Sequence, residues 1–258
     1  AGLHAALRRR IPPQADGPAL DELSRDLVLA LEQGELTVAL MPDRLDVAQA
    51  SGWLEGDASP LLLQADRLGW RRWLQAMEQV VAELVERAHA PVPKPVKAAN
   101  HELSDRLNAE QCAAVRALDQ ASVVLLSGGP GTGKTSTVVE ILARAEARHP
   151  GLRIGLAAPT GKAARRLGEA VMAQRAPLPC STLHRWLEAG SRDFGRHRQR
   201  PLELDLLVID EMSMLDLALT QALLEALPSG CRLLLVGDPA QLPPVGSGAV
   251  WHLSLIHI

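Results

Sequence analysis

The chain has 258 residues, of which 47% are hydrophobic and 22% charged, and a formal net charge of −3. This is an ordinary globular composition with room for one large domain or two small ones. It excludes attachment to nucleic acid through overall charge, so any such contact has to come from a local groove. Aromatic residues are few (5 Trp, 1 Phe, no Tyr), which leaves little material for a base-stacking platform.

Residues 1–90 read as a small, mainly helical unit. Leu20 to Leu31 has helical spacing closed by Gln33-Gly34-Glu35. Arg67 to His89 places Leu68, Trp70, Trp73, Leu74, Met77, Val80, Val81, Leu84 and Val85 on one broad apolar face of a helix. Trp70 and Trp73 read as core or partner-packing residues. Pro91-Val92-Pro93-Lys94-Pro95 marks 91–99 as a stiff, extended linker and a domain boundary. From 100 to 250 the pattern changes. Apolar runs at Ser122–Leu126, Ile154–Ala158, Leu204–Ile209 and Arg232–Val236 alternate with helical patterns at 134–148, 161–175 and 213–227. Runs that are apolar throughout predict strands buried on both faces, hence an α/β fold with a parallel sheet between helices. Ser191 to Pro201 is polar and basic and reads as a surface loop.

The chemistry lies at the ends of these strands. Ser127-Gly128-Gly129-Pro130-Gly131-Thr132-Gly133-Lys134-Thr135-Ser136 joins a strand to a helix and fits the phosphate-loop pattern G-x-x-x-x-G-K-[ST]. Its glycines let backbone N–H groups wrap phosphates, the helix start adds a positive dipole end, and Lys134 supplies charge for the β and γ phosphates of ATP. Thr135 is a Mg²⁺ ligand in this reading. Leu206-Leu207-Val208-Ile209 then runs into Asp210 and Glu211. Asp210 is expected to hold the metal and Glu211 to orient or deprotonate the attacking water. A further strand ends in Gly237-Asp238-Pro239-Ala240-Gln241, whose Gln241 amide is suited to report the γ-phosphate. Thr160 and Lys162, and more weakly His184 in Ser181-Thr182-Leu183-His184-Arg185-Trp186, are candidate contacts to a nucleic-acid strand, although a helix cap or a surface charge is the commoner use of such residues.

Cys112, Cys180 and Cys231 are far apart and form no C-x-x-C pair, which suggests neither a disulfide framework nor a zinc site and points to a reducing cytoplasm. No apolar run approaches the roughly 18 residues of a membrane span. The N-terminus lacks a signal-peptide pattern, and the chain begins at Ala1, consistent with a natural start upstream.

Taken together, GGPGTGKT, APTGKAARRL, STLHRWL, VIDEMSMLD and VGDPAQLPPVGSG resemble motifs I, Ia, the following segment, II and III of superfamily 1 DNA helicases of the RecD type, the α subunits of exodeoxyribonuclease V. Leu107-Asn108-Ala109-Glu110-Gln111 resembles the upstream glutamine motif, which implies that Gln111 recognises adenine, and Arg67 to Trp73 is more loosely similar to the helix before the motor. The resemblance implies a RecA-like lobe over 100–250 and an ATP-dependent motor moving 5′ to 3′ on single-stranded DNA taken from duplex ends. It implies recombinational repair beside RecB-like and RecC-like subunits, with residues 1–90 docked on the latter. Such motors use a second lobe that supplies arginines to the transferring phosphate. The motifs here stop at motif III, and Trp251 to Ile258 departs from the family pattern, so the expectation is a first lobe with a non-native tail at 251–258, inactive alone. Two other readings are a self-sufficient RecD-like helicase and a nucleotide-binding scaffold without turnover.

Overall fold

A computed structural model describes residues 2–95, 103–105, 107–191 and 193–238, with the side chains of 2–5 left out. The elements run α1 (Gly2–Arg10), α2 (Pro18–Glu32), β1 (Thr37–Ala39), α3 (Pro42–Ala50), β2 (Leu61–Gln64), β3 (Arg67–Trp70), α4 (Arg71–His89), α5 (Ala109–Ala117), β4 (Val123–Ser127) and α6 (Lys134–Arg148). They continue with β5 (Ile154–Ala158), α7 (Gly161–Met172), β6 (Cys180–Thr182), α8 (Leu183–Trp186), β7 (Leu206–Ile209), a 3₁₀ turn (Met212–Met214), α9 (Leu217–Ala226) and β8 (Arg232–Gly237).

The second half is an α/β lobe on a five-stranded sheet of order β4-β8-β7-β5-β6, every neighbouring pair parallel. Alternating strand residues face opposite sides and feed two cores. Leu207, Ile209, Leu233 and Leu235 belong to the core beneath α9, whereas Leu206, Val208, Leu234 and Val236 belong to the core under α6 and α7. The apolar runs therefore mark the strands. The run read from Leu204 begins at Leu206 instead, because Asp205 accepts from the Arg153 backbone and guanidinium and turns the chain into the sheet.

Helices dominate the first 90 residues, but a three-stranded antiparallel sheet of order β1-β3-β2 stands among them, unread in the sequence. Residues 67–70, read as the first turn of a long helix, form its central strand, paired to both Thr37–Ala39 and Leu61–Gln64. Apolar Leu68 and Trp70 lie two apart, the period of a strand; on a helix they would fall on opposite sides, so the two do not both belong to the stripe that runs through Trp73.

α4 joins the two halves. Its Met77, Val80 and Leu84 sit in the core of the α9 face, and Trp73 packs against that core and against the N-terminal one. Arg87, 5% exposed, closes the contact. Its guanidinium donates to the carbonyls of Pro228 (2.8 Å), Leu224 (3.1 Å) and Leu227 (3.1 Å) at the C-terminal end of α9, the first two of which also accept from backbone N–H groups, and it pairs with Glu83 at 2.9 Å. Replacing Arg87 by Ala removes three hydrogen bonds at once and takes the guanidinium partner from the buried Leu227 carbonyl. The expected cost is about 3 kcal/mol, read as a lower midpoint in urea unfolding. An unchanged midpoint would show that the cap contributes nothing.

Candidate functional site

In a parallel sheet the strand ends that carry loops to the following helices share one edge, and ligands bind there. Here β4 delivers the glycine loop, β7 delivers Asp210 and Glu211, and β8 delivers Asp238 to that edge. The loop is anchored at its start by Gly128 N donating to Gly237 O at 3.3 Å. Gly131 and Gly133 take left-handed φ values of 75° and 80°, which disfavour a side chain. At Gly133 a Cβ would also come within 2.7 Å of Gln111 Nε2, whereas Gly129 and Gly131 look onto open space. The Lys134 ammonium donates to the carbonyls of Gly128 and, at 2.8 Å, Gly129, and Thr132 Oγ1 donates to Gly129 O. Lys134, Thr135 and Ser136 open α6, so the loop leads directly onto a helix N-terminus.

Gln111 braces the loop. Its side chain accepts from Asn108 N and donates to Thr132 O at 3.1 Å, while Asn108 caps α5 in return from Gln111 N. Asn108-Ala109-Glu110-Gln111 thus forms a capping box, a pattern that the sequence itself carries. The Gln111 amide's second N–H and second oxygen lone pair take no part in these bonds.

Thr135, Asp210 and Glu211 line one cavity of about 400 Å³, with Arg166 and Glu169 of α7 on its far wall. Glu211 holds φ 56°, ψ 41°, a left-handed backbone uncommon outside glycine, immediately after Asp210, whose Oδ1 accepts from Glu211 N at 2.9 Å. Strain of this kind costs on the order of 1–3 kcal/mol and is concentrated at functional positions. Burial pushes the Asp210 carboxyl up, against the pull of the Glu211 N–H and of the Lys134 and Arg166 charges. Burial also raises Glu211, and the neighbouring Asp210 raises it further. The donor set suits Mg²⁺, which takes a hydroxyl, one or two carboxylates and phosphate oxygens rather than an all-protein cage.

The remaining candidates divide. Thr160 caps α7 through its side chain, accepting from Ala163 N at 3.2 Å, and Lys162 is exposed on the first turn. Thr182 caps α8 in the same manner, and His184 follows it, exposed. Ala158 pairs with Thr182 in register, so both segments leave the sheet side by side at the loop edge. Gln241 and the tail at 251–258 lie outside the described residues. Arg166 was not singled out from the sequence; in Ala164-Arg165-Arg166 it reads as a solvated helix charge.

Fold and site together define a phosphate-loop nucleotide-binding lobe. A family model described as an AAA domain matches residues 111–247, and the chain belongs to that family. It is similar to the ATP-dependent RecD2 DNA helicase of Deinococcus radiodurans, 48% identical over 142 residues (55% of this chain, 19% of that protein). It is also similar to the RecBCD enzyme subunit RecD of Mycobacterium tuberculosis, 40% identical over 257 residues (86% of this chain, 44% of that protein). The resemblance to RecD-type helicases thus holds well beyond the glycine loop, while the chain spans less than half the length of either relative. Among solved structures, the Pif1 helicase from Candida albicans matches 57% of this chain and 37% of its own at 25% identity, with a TM-score of 0.41. Among the described residues no helix is long and apolar enough to cross a membrane.

Because both carboxyls are raised above the ordinary 3.8 and 4.5, the folded chain takes up protons more readily than the unfolded one. The stability this pair contributes is fully present below about pH 4 and is lost as pH rises through the folded values. In metal-free buffer at pH 7, Asp210→Asn, which keeps the Oδ1 acceptor, is expected to stabilise the chain by on the order of 1 kcal/mol and to flatten this pH dependence. Thermal melts across pH 4–8 check it; a lower melting temperature for the variant would contradict the electrostatic account.

Proposed function

We propose that this chain is the first motor lobe and N-terminal part of an ATP-driven DNA helicase of the RecD type. The reading is carried by the convergence of Thr135, Asp210 and Glu211 on one cavity beside the glycine loop. Lys134 and the loop N–H groups would hold the β and γ phosphates, Thr135 and Asp210 a Mg²⁺, and Gln111 the adenine side. Bound there, the metal would neutralise charge developing on the phosphates. Glu211, aimed by its left-handed backbone, would accept a hydrogen bond from the attacking water, and Gln241 would register the γ-phosphate. Single-stranded DNA would cross the loop edge at Thr160, Lys162 and His184. Movement would run 5′ to 3′ in the cytoplasm beside RecB-like and RecC-like subunits. Residues 1–90 would serve docking, 91–99 would link, 100–250 would form the motor lobe, and 251–258 would lie outside it.

The self-sufficient helicase remains the second reading, supported by the higher identity to the RecD2 protein. Against it stands coverage: a match over 86% of the chain has to extend into the first 90 residues, and that match is to a RecBCD subunit.

By itself the lobe is expected to bind nucleotide and turn it over slowly, behaving as the scaffold reading describes, because an arginine from a second body contributes about 10³–10⁵ in rate. Lys134→Ala removes the charge-assisted bonds to phosphate and should weaken binding of a fluorescent ATP analogue roughly tenfold or more. Undiminished binding by that variant, or fast DNA-stimulated hydrolysis by the 258-residue chain, would sink the assignment.

A further inference from the structure

Consecutive carboxylates in a half-buried cleft repel one another, and a cation nearby eases that repulsion. Lys134 is the cation the sequence motif offers, but its ammonium is engaged by the carbonyls of Gly128 and Gly129. Arg166 approaches from the other side. It lines the cavity of about 400 Å³ with Thr135, Asp210 and Glu211. Its charge draws both carboxyls down against the rise that burial imposes; on Glu211 it acts more strongly than Lys134, whereas on Asp210 Lys134 is the stronger of the two. Glu169 lines the same wall and Asp238 adds negative charge from β8, so the cleft is acidic apart from Arg166 and Lys134. Arg165, the adjacent residue of α7, is also exposed yet does not line the cavity, which separates two arginines that look alike in the sequence.

We propose that Arg166 is the resident counter-charge of this cleft: it faces Asp210 and Glu211 across the cavity and opposes any divalent cation entering beside Thr135. The proposal rests on the reading of this cavity as the metal–nucleotide site. Its consequence has a sign that a structural role does not share. Removing Arg166 makes the cleft more negative, so a divalent cation binds more tightly.

The test is Mn²⁺ binding to the chain without nucleotide, followed by paramagnetic resonance of the free ion. Arg166→Ala is expected to tighten Mn²⁺ roughly three- to tenfold, while Arg166→Lys and Arg165→Ala stay within about twofold of the parent. Arg166→Gln serves as a second charge-removing variant should the alanine form fold poorly, and the Mg²⁺ needed to half-saturate ATP-analogue binding should fall in the same direction. Unchanged or weaker Mn²⁺ binding in both charge-removing variants, or equal tightening by Arg165→Ala, overturns the proposal. Asp210→Asn separates the two levels. If it leaves Mn²⁺ binding intact, the cavity is not the metal site and the assignment beneath the proposal fails with it. If it abolishes binding while both Arg166 variants match the parent, only the role of Arg166 fails.

Discussion

The parallel register of β4, β8 and β7 is the constraint from which the rest follows. Ser127 pairs with Gly237, and Leu207 and Ile209 pair with Leu233 and Leu235, so three strands reach the same edge within a residue or two of one another. A parallel sheet cannot join neighbours by hairpins; each strand has to leave the edge through a loop and return by a helix. Loops carrying the glycine motif and the two acids, separated by some 75 residues of chain, are thereby brought to one cavity. The buried, two-sided apolar packing that makes these strands readable as sequence is the same packing that fixes where their ends lie.

How α4 sits on this frame matters for what the lobe can do. It reaches the sheet as one of the covering helices, yet it grows directly out of the N-terminal sheet at Trp70. Arg87 clamps its far end to α9, and α9 begins three residues after the turn that follows Glu211. The first 90 residues are therefore joined to the acids through a short, well-packed stretch. Gln221 of α9 and Gln79 of α4 share a hydrogen bond at 3.2 Å along the same seam.

What was legible in the sequence is what local pattern encodes: all-apolar strands, the glycine loop, the acids at a strand end. The small antiparallel sheet was not, because its strands are three or four residues long and its hairpin turns through Ala65-Asp66, with Ala65 at φ 51° where glycine or asparagine would have announced the turn. Arg87 carried no signal either, since its carbonyl partners lie 137 to 141 residues further along. Arg166 failed for a different reason. On one helix, Arg165 and Arg166 are chemically identical, and only the position of the β7 edge decides which one faces carboxylates.

The cleft is built against its own stability. A left-handed Glu211, two carboxyls raised by burial and an acidic wall each disfavour the folded chain, and no local interaction compensates them fully. The sheet absorbs this load because Leu206, Leu207, Val208 and Ile209, the residues leading into the acids, are completely buried. Fully buried aliphatic side chains contribute roughly 1.5–3 kcal/mol each, enough to hold a strained pair at their end. A strand that stable lets the acids stay poised without relaxing. A divalent cation or phosphate arriving at the edge then meets carboxylates already gathered, and the free energy released on neutralising them is available for binding rather than for reorganising the chain.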